Sequence, residues 1–208
     1  MAGMTSTPTP RAARMSPEAR RAQILATAAE LALAEGLERV TLRAVADRLE
    51  VRHGLITHYF DTAEDLVVAA FVAAASADRE LMFPADGTPI ARVAHLARVN
   101  DSIEAGPLAR LWLNARHLSR FSAPLAEALS QQDATDHDRL RALIDEGVRA
   151  GEFRASDADA AARRILLAID GVCAYANDPV AYAAATEAGF VAETAERVLG
   201  LPEGRLHS

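Results

Sequence analysis

The strongest constraint on this chain lies in the punctuation of residues 16–65. Ser16-Pro17, Gly36, Thr41, Glu50-Val51 and Asp61-Thr62 divide that stretch into short apolar-periodic segments. A serine followed by proline predicts a helix start, because the hydroxyl accepts an orphan amide and the proline fixes φ where no amide partner is needed. Ile24, Leu25, Ala28, Leu31 and Ala32 then recur three and four apart, as on one face of a helix. Gly36 is expected to end that helix in the left-handed conformation. Thr41 caps a second helix with Leu42, Val45, Ala46 and Leu49 inward, and a turn at Glu50-Val51 leads to a third over about 52–60, burying Ile56, Tyr59 and Phe60. Thr62 with Asp65 three residues on predicts a capping box for the next helix. Three helices in roughly 45 residues, with a tight turn between the last two, form a helix-turn-helix layout.

The remainder reads as helical too. Half the residues are apolar and much of that share is alanine, the best helix former, while runs of β-branched residues are absent. The spacing predicts helices over about 63–81, 89–105, 107–120, 123–150, 157–176 and 180–199. Gly106-Pro107, Pro124, Gly151, Asp157, Asn177-Asp178-Pro179 and Gly200-Leu201-Pro202 punctuate them. The expected class is all-α: a disordered arm over 1–15, a three-helix helix-turn-helix domain over 16–62, and a helical bundle over 63–208.

Charge is divided unevenly. The net charge is −7, yet residues 1–60 carry eight arginines against six acids, while the rest carry fourteen against twenty-three. A basic head on an acidic body suits separate nucleic-acid and effector modules. The single Cys173 excludes an internal disulfide or a cysteine-based zinc site and reads as a small buried thiol. The longest apolar run, 66–75, falls short of the ~20 residues a membrane span needs. No apolar segment follows the N-terminal arginines, so a secretory signal is not expected and a cytoplasmic setting is. His53, His58, His95, His117, His137 and His207 show no ligand spacing, and no HExxH, phosphate loop or GxSxG is present. Neither metal, cofactor nor enzymatic activity is expected.

The stretch from Thr41 to Phe60 (TLRAVADRLEVRHGLITHYF), with "RAQILATAAELALAEGLERV" before it and "DTAEDLV" after it, resembles the DNA-binding domain of the tetracycline-repressor (TetR) family. The resemblance implies that Arg43 on the second helix, with Arg52, His53, Gly54 and Leu55 on the third, faces base edges in the major groove. Thr41, Thr57, His58 and Tyr59 fall where the family contacts phosphate, which sets register without reading sequence. Leu55 is expected to be exposed, since Ile56, Tyr59 and Phe60 already supply the buried face. Three residues depart from the family pattern. Glu50 replaces a turn glycine where positive φ is usual, at a cost of about 1 kcal/mol. Thr57 stands for a tyrosine and Ala63 for a lysine, and both changes weaken phosphate contact.

"LRALIDEGVRAGEF" (140–153) and "ILLAIDGVCAYANDP" (165–179) resemble the C-terminal domain of BetI-type regulators. That resemblance implies a pocket within the bundle and a homodimer made by the last two long helices. Candidate interface residues are Ile165, Ile169, Val172, Ala188, Val191, Ala195 and Val198. Trp112 is the leading pocket residue, with Phe71, Phe121 and Tyr175 as aromatic neighbours. A carboxylate such as Asp170, Asp101 or Glu104 beside them would suit a cationic effector. The expected function is a regulator, in the first instance a repressor, that binds a pseudo-palindromic double-stranded DNA operator as a dimer and is released by a small molecule. The rival is a ligand-binding helical protein whose head has lost specific DNA binding through Glu50 and Ala63.

Overall fold

The computed structural model describes residues 15–206, so the arm over 1–14, with Arg11 and Arg14, and His207 lie outside the described residues. Ten α-helices follow one another: α1 (Pro17–Glu35), α2 (Leu42–Arg48), α3 (His53–Ile56), α4 (Ala63–Met82), α5 (Pro89–Asn100), α6 (Gly106–Leu118), α7 (Ala123–Arg149), α8 (Ala158–Cys173), α9 (Pro179–Glu187) and α10 (Phe190–Leu199). Among the described residues there is no strand.

The predicted starts are built as capping chemistry requires. The Ser16, Thr41 and Asp157 side chains accept from the amides of Ala19, Ala44 and Ala160 at 3.1, 3.0 and 2.9 Å. Thr62 and Asp65 form the reciprocal capping box of α4. Gly36 takes φ 111°, ψ 151° rather than the expected left-handed helical pair, and a Cβ there would meet the Glu38 carboxylate at 2.6 Å. Either way only glycine suits the position.

Three helices are shorter than expected. α3 ends at Ile56 and continues as a turn to Tyr59. α5 stops at Asn100, followed by a 3-10 turn over Ile103–Ala105. The expected final helix over 180–199 is two helices, α9 and α10, broken at Gly189, whose φ of 63° and ψ of 32° lie in the left-handed region. The break is stabilised from a distance: the Asp101 carboxylate accepts from the amides of Val191 (3.2 Å) and Ala192 (3.0 Å) at the start of α10.

Two hydrophobic clusters hold the chain. The first joins Ile24, Leu31, Leu37, Val45, Ile56 and Phe60 of the head to Leu66, Ala70 and Phe71 of α4, Leu111 and Ala115 of α6, and Leu125 of α7. The second lies in the body around Val93, Leu96, Leu140, Ile144, Ile165, Val172, Tyr182, Val191 and Leu199. The head's core therefore does not stop at residue 62. It runs into α4 and α6, so movement of either helix reaches the head through packed side chains.

This packing corrects the expected interface set. Ile165, Val172, Val191 and Ala195 are at most 3% exposed and belong to the chain's own core, because α8 and α10 pack on each other and on α5 and α7. Ile169 lines a cavity among the helices of the body. Ala188 is exposed at the break before Gly189. Of the seven, Val198 lies on the outward side, in a shallow groove with Arg164, Leu167, Ala168, Phe190, Thr194 and Arg197.

Candidate DNA-binding surface and ligand cavity

The head presents its polar residues outward. Arg43 has a side chain 86% exposed and only a loose contact to Asp47 at 3.7 Å, a kind of pair worth under about 1 kcal/mol. Arg52, His53, Gly54, Thr57 and His58 are exposed on the same α2–α3 unit, with Leu55 and Tyr59 half-buried. Leu55 lies outside the head's core, whereas Ile56 and Phe60 are buried within it. A Cβ at Gly54 would meet nothing within 4 Å, so the protein's own packing does not require glycine there. The Thr57 hydroxyl donates to the Gly54 carbonyl at 3.2 Å, and the His58 and Tyr59 rings meet edge to face at 5.2 Å. Thr41 accepts the Ala44 amide as a cap, which leaves its hydroxyl hydrogen able to donate elsewhere.

Glu50 adopts φ 54°, the only positive φ outside glycine among the described residues. It sits in the turn between α2 and α3, anchored by Val51 N–H to Ala46 O at 3.0 Å. The exposed turn thus carries a carboxylate between the two helices of the candidate DNA-binding unit.

The body holds a partly open cavity of about 440 Å³ walled by α4 to α9. Met82, Leu96, Val99, Leu108, Leu166 and Ile169 supply apolar wall, and Trp112, Phe83 and Tyr182 the aromatic part. The polar part is dominated by acids and their arginine partners. Arg116 bridges Asp133 on α7 (3.0 and 3.2 Å) and Asp170 on α8 (2.7 Å), and its guanidinium lies 5.7 Å from the Trp112 ring centre. Behind the wall Arg79 is buried against Asp136 and donates to the Gln132 side chain at 2.8 Å. Asp78, 6% exposed, has the Trp112 indole as a polar neighbour. Burial, with the nearby Asp136, pushes its carboxyl up to about 6, against the opposing pull of Arg79 and the indole.

Of the expected pocket residues, Trp112 and Asp170 line the cavity. Phe71 is fully buried behind Trp112, meeting it edge to face at 5.3 Å. Phe121 and Tyr175 do not reach the wall: they are 74% and 52% exposed, Phe121 packing on His117 beyond the end of α6. Tyr182 takes the aromatic place instead. Asp101 caps α10 and Glu104 is exposed. Cys173 also lines the cavity, but burial followed by the Asp170 charge pushes its thiol up to about 12, so it is a protonated wall group and not a nucleophile.

Sequence reasoning missed Asp78, Arg79, Gln132 and Asp136. The signal was there, because Asp78 continues the stripe Leu66, Ala70, Ala74 on α4 and Asp136 the stripe Leu125, Leu129, Gln132 on α7. Polar residues at core-facing positions mark a functional interior. Among the described residues no group of three histidine, cysteine or acidic side chains is placed to hold a metal, and no helix is long and apolar enough to cross a membrane.

Residues 24–70 match the family described as bacterial regulatory proteins, tetR family. Comparison with curated protein sequences gives no match. Similar solved structures include a TetR transcription regulator from Haloarcula marismortui (21% identity, 86% of this chain and 98% of that one, TM-score 0.69). GusR from Salmonella enterica is 20% identical over 90% of this chain and 97% of that one, with TM-score 0.69. The reduced form of E. coli NemR is 18% identical over 88% and 98%, with TM-score 0.70. Residues 24–70 thus match the tetR family of bacterial regulatory proteins, and the chain as a whole has the helical fold of solved TetR regulators.

Proposed function

We propose that the protein is a dimeric, ligand-controlled repressor whose cavity occupancy sets the position of its DNA-reading head. The observation that carries this reading is the course of α4. It starts at the capping box that closes the head, packs Leu66 and Phe71 into the head's core, and ends at Asp78 and Met82 in the cavity wall. One rigid element touches both sites. α6 is a second link, with Leu111 in the head's core, Trp112 and Arg116 in the cavity wall, and Asn114 donating to Glu38 at 3.3 Å.

Dimerisation through the outward faces of α8 and α10 is supported by Leu167 and Phe190, which stand 62% and 48% exposed on either side of the shallow groove. The expected interface moves from the core-facing to the solvent-facing side of these helices. In such a dimer two heads must lie about one helical turn of DNA apart, ~34 Å, to enter successive major grooves. A ligand that prefers another spacing releases the operator by that preference alone. Of the two segments that resemble BetI-type regulators, 165–179 supplies Leu166, Leu167, Ile169, Asp170 and Cys173 to the cavity wall, and 140–153 supplies none of its lining.

Selection of random duplexes by the purified protein at moderate salt tests the reading. An inverted repeat bound by a dimer is the expected result. Salt-sensitive binding without a motif, or no binding, would favour the ligand-binding protein whose head no longer reads sequence, the outcome that Glu50 and Ala63 would explain.

A further inference from the structure

Granting the cavity as the effector site, its wall specifies the charge of the effector. The other acids of the wall have cations of their own: Asp136 has Arg79, Asp133 and Asp170 share Arg116, and Asp138 lies 3.8 Å from Arg141. Asp78 differs. It lines the cavity, is 6% exposed, and makes no ion pair among the described residues. Its sequence neighbour Arg79 attracts it but is tied to Asp136 and Gln132 and forms no ion pair with it. A carboxylate offers about four acceptor positions, and the Trp112 indole is the polar side chain at hand for this one besides its charged neighbours. An ionised carboxylate kept from water without a counter-charge is costly. A bound cation removes that cost.

The rest of the wall narrows the cation. Met82, Leu96, Val99 and Leu166 require an apolar body, and about 440 Å³ limits its size. The Trp112 ring already carries the Arg116 guanidinium 5.7 Å from its centre, so a quaternary ammonium seated there would compete with an arginine held by two carboxylates. A protonated amine donates an N–H to a carboxylate instead and leaves Arg116 in place.

We propose that the cavity binds a protonated primary, secondary or tertiary amine with an apolar body, anchored by an N–H donated to the Asp78 carboxylate. The carboxyl is ionised at neutral pH even though burial raises its pKa.

Calorimetry on the full chain with a graded series of phenylalkylamines, their trimethylammonium derivatives, and the matching alcohols and carboxylic acids tests this. Trp112, the single tryptophan, gives a fluorescence report from the cavity itself. The amines should bind more tightly than the alcohols, acids and trimethylammonium compounds. Asp78→Asn should weaken the amines about 10- to 100-fold, as for a lost charged hydrogen bond. It should leave alcohol binding and the melting curve's cooperativity intact. Alcohols or acids that quench Trp112 and bind as tightly as the amines would overturn the amine assignment while leaving the cavity a ligand site. So would an amine preference that survives Asp78→Asn. Silence of Trp112 toward every compound would overturn the cavity reading and the amine with it.

Discussion

The head and the cavity deploy charge in opposite ways. In the head, Arg43, Arg52, His53 and His58 stand in solvent, and the loose Arg43–Asp47 contact opens at little cost when a base or phosphate arrives. In the body, Arg79 and Asp136 are buried against each other and Arg116 is tied to two carboxylates on two helices. Removing one partner of a buried pair leaves an uncompensated charge and costs several kcal/mol. The difference teaches where control can reside. The head is a preformed surface whose contacts exchange freely, whereas the cavity's charges fix the relative positions of α4, α6, α7 and α8. A ligand seated among those charges would act on helices that the head's core is packed upon.

The contrast can be broken most severely at Arg79. Arg79→Met should lower stability by about 3–5 kcal/mol, and adding Asp136→Leu should recover most of the loss, both read by urea unfolding. An equal loss in the double variant would mean that side-chain fit, not charge, dominates there. Asp78 offers the next largest effect. Its folded carboxyl titrates near 6 against an ordinary 3.8, so the folded state holds the proton more tightly. The resulting stabilisation is full below the ordinary value and disappears as pH rises through 6, by roughly 3 kcal/mol in all. The groups that act on it are Asp136 from α7, Trp112 from α6 and its neighbour Arg79, and the Cys173 thiol on α8 feels its charge. Unfolding followed from pH 4 to pH 8 should show this slope in the wild type and a flatter profile in Asp78→Asn.

Effects on the head are smaller and more selective. Arg43→Ala should cost about 1–3 kcal/mol at one base position of the selected operator if the guanidinium reads a base edge. Uniform weakening across sequences would reassign it to phosphate. Smallest is Glu50→Gly, which relieves the φ of 54° and should raise stability by about 1 kcal/mol. The same change removes a negative charge from the α2–α3 turn, so operator affinity should rise with it if the proposed surface meets DNA.

Legibility in the sequence follows the same division. The head is read from local signals: caps at Ser16, Thr41 and Thr62 and short apolar stripes each specify a neighbouring turn, and the structure builds all three caps. Glu50 at positive φ is legible for the same reason, as one residue in one turn. The body's site depends on partners 17 to 57 residues apart, such as Arg116 with Asp133 and Arg79 with Asp136, and periodicity carries no information about which stripes will meet. Spacing in α8 identified an apolar helix but not which side turns inward, so Ile165 and Val172 were expected at an interface and are found in the core. Phe121 and Tyr175 illustrate the same limit for aromatics, since hydrophobicity alone does not place a side chain at a helix end.

The central claim is that the state of the cavity sets the operator affinity of a head that does not touch it. Ala109 is buried in the cavity wall on α6, so Ala109→Phe puts bulk where an effector would sit without altering any residue of the reading surface. The direct measurement is the affinity of this variant and the wild type for the selected operator, with dimer state and cooperative melting checked in both. The account predicts that the folded, dimeric variant binds at least about tenfold more weakly, the scale of a modest allosteric coupling. Equal affinity in a folded dimer with its cavity filled would contradict it.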